Sequence, residues 1–337
     1  MATSNYIWRA RRSEPTLLDG SVAVCIDQSQ LSRNVLAHAL AVAGPLDAPI
    51  TMVHVLEAGR ASQRHPDPLE WELLRREARE TLGQLAESSE AAGHRINTEL
   101  VEGQAAEQIC RWARDHMASL VVLGTHGESG PNERHLGATA RDVTDAIPAS
   151  VLLVPPTAVD GTSVRYRRIL VPVDGSAAAE SVLPVAIRIA AAHHAELVIA
   201  HVAPIPELTE IGPAEAEDLD LRERLASRNE RIAKQYLDRL KARVALHGVD
   251  VRALVLRGDA RSRLALLVTE EHVDMVLLSA QGRSNRDDVP CGSVATYLMT
   301  HVASPILVVR PHDLSSARRV PQALTQSDVR FPNRANW

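Results

Sequence analysis

Apolar residues along the chain occur in short, nearly continuous runs that alternate with longer amphipathic stretches. The runs predict strands at residues 21–26, 50–55, 96–101, 119–123 and 150–154, and again at 168–173, 196–202, 250–256, 274–278 and 305–309. The stretches between them predict helices at 30–43, 68–92, 104–117 and 136–146, and then at 177–194, 216–247, 260–272 and 291–301. Alternating apolar strands and helices indicate an α/β fold whose parallel sheet is covered on both faces.

The two halves of this pattern are copies of one module. Asp27 at the end of the first strand corresponds to Asp174, which lies 147 residues later. Gly127 after the fourth strand corresponds to Gly282, which lies 155 residues later, so the second copy has gained eight residues in between. A repeat of this length is a duplicated domain. The sequence therefore predicts one domain at 18–156 and another at 165–312, with polar tails at 1–17 and 313–337.

A glycine spacing follows the fourth strand of each copy and precedes a helix. The first copy has Gly124, Gly127 and Gly137, and the second has Ser279, Gly282 and Gly292 at the same spacing. A buried strand that runs through glycine-lined turns into a helix can present backbone N–H groups to a phosphate. The spacing thus predicts two related nucleotide sites at the carboxyl ends of the strands, where ligands of such sheets bind.

The composition limits the kinds of partner and the location that we expect for the chain. The 337 residues carry a net charge of -5, which argues against nucleic acid as the main partner. Three scattered cysteines suggest neither a disulfide framework nor a zinc site and fit a reducing cytoplasm. The start of the chain lacks the apolar core of a signal peptide, and no apolar run is long enough to span a membrane. We therefore expect a cytoplasmic protein without membrane insertion.

The ordered landmarks resemble those of the universal stress protein family over residues 20–156 and 166–311. The second copy reads Val173-Asp174-Gly175-Ser176, His201-Val202, Gly258-Asp259-Ala260, and Ser279 to Gly292-Ser293, and the first copy has counterparts of each in the same order. The resemblance implies an adenine-nucleotide alpha-hydrolase-like fold with two tandem open five-stranded sheets ordered 3-2-1-4-5. It also implies that the last strands pair, giving an intramolecular pseudo-dimer with a possible homodimer beyond it; an open apolar edge strand needs a partner.

The same resemblance implies roles for individual residues. The aspartate would lie by the ribose and adenine, the valine after the histidine would contact adenine through its backbone, and the glycines with Ser or Thr would hold phosphates. In the second copy these positions are Asp174, Val202, Gly282, Gly292, Ser293 and Val294, with Arg283 as a countercharge. In the first copy they are Asp27, Val55, Gly124, Gly127, Gly137 and Thr139.

The copies depart from the family pattern in different places. The second has Ser279 where the family usually has glycine, a position that could need positive φ or a close approach. The first has Glu128 in place of Arg283 and Ala138 in place of Ser293, which puts a carboxylate near the phosphates and removes a hydroxyl. The second copy is therefore the better candidate. The alternative is that the glycines serve turns and packing and that the aspartates serve turns or helix N-caps.

Three functions stay open from the sequence. The first is a stress-response or signalling regulator that binds ATP or another adenine nucleotide, with Mg²⁺ as a possible companion. The second is a nucleotide-free scaffold or protein-interaction module with degenerate sites. The third is a slow ATPase, for which the sequence offers no general base, and we assign no catalytic and no metal-ligating residues. Cys291 stands beside a helix start and is either a low-pKa thiol or a buried inert one.

Overall fold

The structure is a computed structural model that describes residues 18, 20–29, 31–57, 67–91, 95–127, 136–156, 164–206, 216–283 and 289–310. The tails at 1–17 and 313–337 lie outside these residues, as does Glu128. No helix among the described residues is both long enough and apolar enough to cross a bilayer.

Each copy supplies five strands. Copy one has β1 (Ser21–Ile26), β2 (Ile50–Leu56), β3 (Ile96–Glu102), β4 (Ala118–Gly124) and β5 (Ser150–Val154). Copy two has β6 (Arg168–Pro172), β7 (Glu196–Ala203), β8 (Val251–Arg257), β9 (Met275–Ser279) and β10 (Ile306–Val309). Their order is β3-β2-β1-β4-β5-β10-β9-β6-β7-β8, so each copy has the order 3-2-1-4-5 that the family resemblance implies.

The two five-stranded halves join through their last strands. Within each copy the paired strands are parallel, whereas β5 and β10 are antiparallel, with Leu152 opposite Leu307. This pairing is the one expected from the edge-strand argument, and it makes one continuous sheet of ten strands. Because β5 and β10 are antiparallel, the strands of copy one and the strands of copy two have their carboxyl ends at opposite ends of the strand direction.

Helices cover both faces. Copy one contributes α1 (Ser32–Leu46), α2 (Pro68–Ala91), α3 (Ala105–Asp115) and α4 (Ala138–Ala146). Copy two contributes α5 (Ala177–Glu180), α6 (Leu183–His193), α7 (Ala216–Ala245), α8 (Ala260–Glu270) and α9 (Ser293–His301). One buried cluster joins the sheet to α1, α2, α6 and α7, and the other joins it to α3, α4, α8 and α9. Each cluster includes residues of both copies, so the core is shared.

The single helix predicted at 177–194 is wrong, because α5 and α6 are separate. The break falls at Ser181 and Val182, just before Pro184 in the first turn of α6. A proline ring has no N–H and clashes with the carbonyl four residues earlier, which here belongs to Glu180, so a continuous helix is disfavoured. The helix starts again with proline where its missing N–H costs nothing.

The copies also meet where α1 packs against α6. Tyr166 is fully buried there, and its hydroxyl lies 2.9 Å from Nδ1 of His38 on α1. On the copy-two side, Nε2 of His193 lies 2.8 Å from the carbonyl oxygen of Ala41. We call His38, Tyr166 and His193 the interface triad. It joins the two copies through polar contacts inside the apolar core.

Candidate functional site

A cleft of about 250 Å³ opens at the carboxyl ends of β6 and β9 in copy two. These two strands are neighbours, and the chain leaves them toward opposite faces of the sheet, which is the switch point where ligands bind in open α/β sheets. The structure brings all of the copy-two residues selected from the sequence to this cleft: Asp174, Val202, Gly282, Arg283, Gly292, Ser293 and Val294.

The Asp174 carboxylate is held on both sides. Its Oδ1 accepts hydrogen bonds from the backbone N–H of Ser176 at 2.9 Å and from its hydroxyl at 2.6 Å. Its Oδ2 accepts one from the backbone N–H of Arg283 at 2.6 Å. Ser176, not Asp174, caps α5 by accepting from the N–H of Ala179. Asp174 therefore does serve a turn, as the alternative interpretation expects, and it also ties that turn to the loop after β9.

These hydrogen bonds keep Asp174 ionised. Partial burial alone would raise its pKa, but the hydrogen bonds from Ser176 and from the Arg283 amide outweigh that effect and hold the pKa below its ordinary value. Each carboxylate oxygen has two lone pairs, so Asp174 retains capacity to accept a further hydrogen bond. The side chain thus places a fixed negative charge and a spare acceptor in the cleft.

Gly282 is required by the approach of Asp174. A Cβ atom at Gly282 would come within 2.5 Å of Asp174 Oδ2. In copy one, a Cβ at Gly127 would come within 3.3 Å of Asp27 Oδ2, so the same contact is made less closely. In the described structure the second glycine of each spacing therefore makes room for the aspartate.

The amino end of α9 forms the other side of the cleft. Gly292 is its N-cap and donates its N–H to the carbonyl oxygen of Ala280 at 2.7 Å, which closes the base of the loop. Ser293, Val294 and Ala295 form the first turn and all line the cleft. The first N–H groups of a helix have no partner within it, and the helix dipole favours an anion beside them.

Ser279 is accommodated without strain. Neither Ser279 nor its counterpart Gly124 has a positive φ, so the expectation that this position could need one is wrong. A Cβ at Gly124 would lie 2.9 Å from the carbonyl oxygen of His126, which shows that copy one makes the close approach and copy two does not. Ser279 is buried and lines the cleft, and its hydroxyl forms no hydrogen bond with another described residue.

Val202 lies near the end of β7, on the apolar side of the cleft. Nδ1 of the preceding His201 is 2.8 Å from the carbonyl oxygen of Val173, which ties β7 to the end of β6. The equivalent contact in copy one joins Nδ1 of His54 to Ile26 at 2.7 Å. In both copies the histidine therefore holds the first two strands together, and the following valine stands at the site edge.

Copy one places its candidates in the corresponding arrangement. Asp27 Oδ1 accepts hydrogen bonds from Ser29 and from the Ser32 hydroxyl at 2.8 Å. Gly137 donates its N–H to Thr125 at 2.8 Å and caps α4, where Thr139 is half-buried in the first turn. Val55 and Gly124 lie at the ends of β2 and β4. The Arg141 guanidinium contacts the carbonyl oxygen of Leu136 at 3.4 Å, at the base of the same loop.

Of the two interpretations of Cys291, the structure agrees with the buried thiol. Burial raises its pKa above the ordinary value, and the nearby positive charge of Arg310 only partly offsets this effect. The low-pKa interpretation of Cys291 is therefore wrong, because the thiol is shielded from water despite its place before the start of α9.

Some residues that line the cleft were not predicted from the sequence. Ala260 and Leu264 of α8 add apolar surface beside Val202, and Pro172 and Gln281 also line the cleft. The apolar spacing of α8 marks Leu264 as a core position but not as one that faces a ligand. Among the described residues, no group of three or more His, Cys, Asp or Glu side chains is arranged to hold a metal ion.

Comparison with known proteins adds a family match. The sequence model described as "Universal stress protein family" matches residues 20–155 and 165–310. Universal stress protein MJ0531 of Methanocaldococcus jannaschii is 30% identical over 137 residues, which are 40% of this chain and 80% of that protein. Universal stress protein MJ0577 of the same organism is 24% identical over 161 residues, 44% of this chain and 97% of that protein. Each relative therefore corresponds to about one copy.

Solved structures match both copies at once. A universal stress protein from Archaeoglobus fulgidus DSM 4304 aligns with a TM-score of 0.62 and 15% identity, over 88% of this chain and 98% of that one. PA1789 from Pseudomonas aeruginosa PAO1 aligns with a TM-score of 0.60 and 16% identity, over 88% and 94%. At these identities the structural similarity shows that the three proteins share a fold.

Proposed function

The chain belongs to the universal stress protein family, and we propose on that basis that it binds ATP or another adenine nucleotide in its second copy. In this proposal the protein is a stress-response or signalling regulator, with domains at 18–156 and 165–312 that act together as an intramolecular pseudo-dimer. Nucleotide binding changes the surface that the second domain presents to a partner. Its location in the cytoplasm stays a prediction from the sequence.

The observation that supports this proposal is the convergence of three kinds of group on one cleft. An ionised carboxylate from Asp174, a cation on Arg283 and the first-turn amides of α9 all border it. A nucleotide presents hydroxyls, negative phosphates and a flat base, and these need an acceptor, positive or N–H groups, and apolar surface respectively. The cleft offers each of them in a different part.

The phosphates would lie at the α9 end. A helix N-terminus favours an anion by about 0.3–1 kcal/mol at an exposed site, and each hydrogen bond to a charged group adds about 1.5–3 kcal/mol. Ser293 adds a hydroxyl in the first turn, and Gly292 leaves space for the approach because, of the described residues, a Cβ there would meet only Ala280, at 3.6 Å. The residues present therefore fit a phosphate group.

The nucleoside would lie between Asp174 and the apolar wall of Val202 and Leu264. Ribose hydroxyls can donate to the lone pairs that Asp174 does not already use. Because Asp174 is ionised, it accepts such bonds over the whole physiological pH range. Mg²⁺, where present, would accompany the phosphates and partly neutralise them.

A structural role is the second candidate function, and it applies to copy one. Ala138 begins α4 and has no hydroxyl, whereas the equivalent Ser293 begins α9 with one. Copy one nevertheless retains the turn that Asp27 stabilises and the hydrogen bond from the Gly137 N–H to the carbonyl oxygen of Thr125. We propose that this copy serves as a nucleotide-free scaffold for the second.

Isothermal titration of ATP with Mg²⁺ into the full chain tests the proposal. Asp174→Ala should weaken binding at least about tenfold because a charge-assisted hydrogen bond is lost. Gly292→Val should weaken it to a similar degree because its side chain would occupy the space left for the phosphates. Asp27→Ala is the matched control in copy one and should leave the affinity unchanged. Absence of binding at millimolar nucleotide, or an equal loss in Asp27→Ala and Asp174→Ala, contradicts the assignment to copy two.

A further inference from the structure

Arg310 directly follows β10 and is only 9% exposed, although it is an arginine. A guanidinium is always charged in proteins, and burying an isolated charge is costly. Such a side chain is retained inside a protein only where several acceptors receive its N–H groups. The acceptors of Arg310 are therefore informative about what it holds.

The partners come from both copies. From copy one, Nη1 donates to the carbonyl oxygen of Ala149 at 3.1 Å and Nη2 to that of Thr144 at 2.6 Å. From copy two, Nη2 also contacts the carbonyl oxygen of Pro290 at 3.3 Å and Sγ of Cys291 at 3.4 Å. The Arg310 backbone N–H adds a bond to the Ser150 hydroxyl at 3.0 Å. One side chain thus bridges the end of α4 to the loop that precedes α9.

The bridged loop is the one that sets the phosphate side of the cleft. Pro290 and Cys291 immediately precede Gly292, whose N–H closes the loop onto Ala280 and whose successor begins α9. A shift of Pro290 would move the first-turn amides of α9. Binding groups act well only when they are held to within about 0.5 Å by supporting contacts.

Arg310 also contributes charge. Its guanidinium touches the residue next to Gly292, so a fixed positive charge lies behind the amino end of α9. Water is excluded there, and charges interact more strongly in such surroundings than at the surface. The side chain therefore supports an anion at the cleft in two ways, by geometry and by electrostatics.

Copy one has no arginine at the corresponding position. The residue that corresponds to Arg310 is Pro155, which carries no donor. Its carbonyl oxygen instead accepts a hydrogen bond from Nδ2 of Asn34, a contact within copy one, at 3.3 Å. The Arg310 contact with the loop before α9 therefore has no counterpart at Pro155.

We propose that Arg310 is a positioning residue through which copy one holds the anion-binding loop of copy two, so that the packing of α4 controls the nucleotide affinity of the second site. The inference rests on the proposed function for its effect on affinity. Coupling between two sites is reciprocal, so a ligand in copy two also changes the dynamics of α4.

Hydrogen exchange of the full chain without ligand tests the structural part. Arg310→Met should speed exchange together in residues 144–150 and 289–295, which lie in different copies. Arg252→Met is the control, because Arg252 is a partly buried arginine of copy two that pairs with Glu196 and Glu271 at the opposite edge of the sheet. It should lower the melting temperature and speed exchange no more in those two segments than in the rest of the chain. Unchanged exchange in both segments of Arg310→Met overturns the proposal.

Titration with ATP and Mg²⁺ tests the functional part. Arg310→Met should weaken binding about tenfold or more, within the usual range of coupling between sites. Arg310→Lys keeps the charge but loses the planar set of donors, so its affinity should fall between that of Met and wild type. Equal affinity of all three overturns the control of copy two by Arg310. If the wild-type chain binds no nucleotide, the proposed function fails, while the exchange experiment still decides whether Arg310 joins the two segments.

Discussion

At the scale of residues, the two copies differ most clearly at the first position of the glycine spacing. In copy one the backbone of His126 folds so closely over Gly124 that a side chain would collide with it. In copy two the same position holds Ser279, whose side chain is buried at the cleft. The loop of copy two therefore leaves room for a hydroxyl where the loop of copy one does not. Among the described residues that hydroxyl has no hydrogen-bond partner, and it lies where we expect a nucleotide.

Ser279→Ala should weaken nucleotide binding by about 0.5–1.5 kcal/mol, the usual contribution of one hydrogen bond, with no change in melting temperature. No hydrogen bond to a described residue is lost in the free protein, so the effect appears only with ligand. Ser304→Ala is the opposite control, since the Ser304 hydroxyl donates to Val273 at 2.7 Å and lies outside the cleft. It should lower the melting temperature and leave the titration unchanged. Equal affinity of Ser279→Ala and wild type would refute this role.

At the scale of elements, α1 and α6 bring the interface triad together across the copy boundary. Burial lowers the pKa of His38 to about 4 from its ordinary value of 6.5. The folded protein therefore keeps His38 neutral between these two values, whereas the unfolded chain binds a proton there. The stability from neutral His38 is fully present above about pH 6.5 and is lost as the pH falls toward 4.

Thermal unfolding between pH 7.5 and 4.5 should show this loss. Between the two pKa values of His38, about 6.5 unfolded and about 4 folded, we expect the free energy of unfolding to fall by about 1.4 kcal/mol for each unit of decreasing pH. Other titrating groups add their own effects. His38→Gln removes the titrating group and should flatten the profile, even where it lowers stability at pH 7.5. His301→Gln, at an exposed position, serves as the control for a histidine-to-glutamine substitution outside the interface triad. A slope equal in wild type and His38→Gln would show that His38 does not titrate on unfolding.

Much of the element scale follows from the sequence, because apolar runs and glycine spacings are local signals. The strand order and the pairing of β5 with β10 agree with expectation. The break between α5 and α6 depends on the single residue Pro184, which the apolar periodicity masks. Arg310 and Tyr166 carried no signal, since the contacts by which they join the two copies are with residues more than 100 positions away in the chain. The copy-two candidates that line the cleft were found because the repeat and the family pattern mark them, whereas Ala260 and Leu264 were not.

At the scale of the whole molecule, the sheet and both core clusters run through the copy boundary. Leu152 on β5 is fully buried and faces the same cluster as Leu307 on β10. Neither copy therefore has a complete core at this edge without the other. The chain should unfold as one unit, although it contains two copies of a domain.

Leu152→Ala should lower the free energy of unfolding by about 2–5 kcal/mol and speed hydrogen exchange in both copies. The reason is that the cavity would open in the shared core next to Leu307. Leu82→Ala is the matched control on α2, within copy one and away from the boundary. Faster exchange through local opening should remain in copy one, whereas amides that exchange only through global unfolding should respond in both copies. Two separate calorimetric transitions in the wild-type chain, or a Leu152→Ala effect confined to copy one, would contradict a shared core.

The antiparallel junction of β5 and β10 has a consequence for how such a protein can evolve. In an assembly of two identical chains, every substitution in the gene appears at both sites, so neither can specialise alone. Here both halves are encoded in one reading frame, and each position can change independently. At three equivalent positions the two copies differ in this way: copy two has Ser279, Ser293 and Arg310 where copy one has Gly124, Ala138 and Pro155. A chain that carries both copies can therefore have two unequal sites, which an assembly of identical chains cannot have.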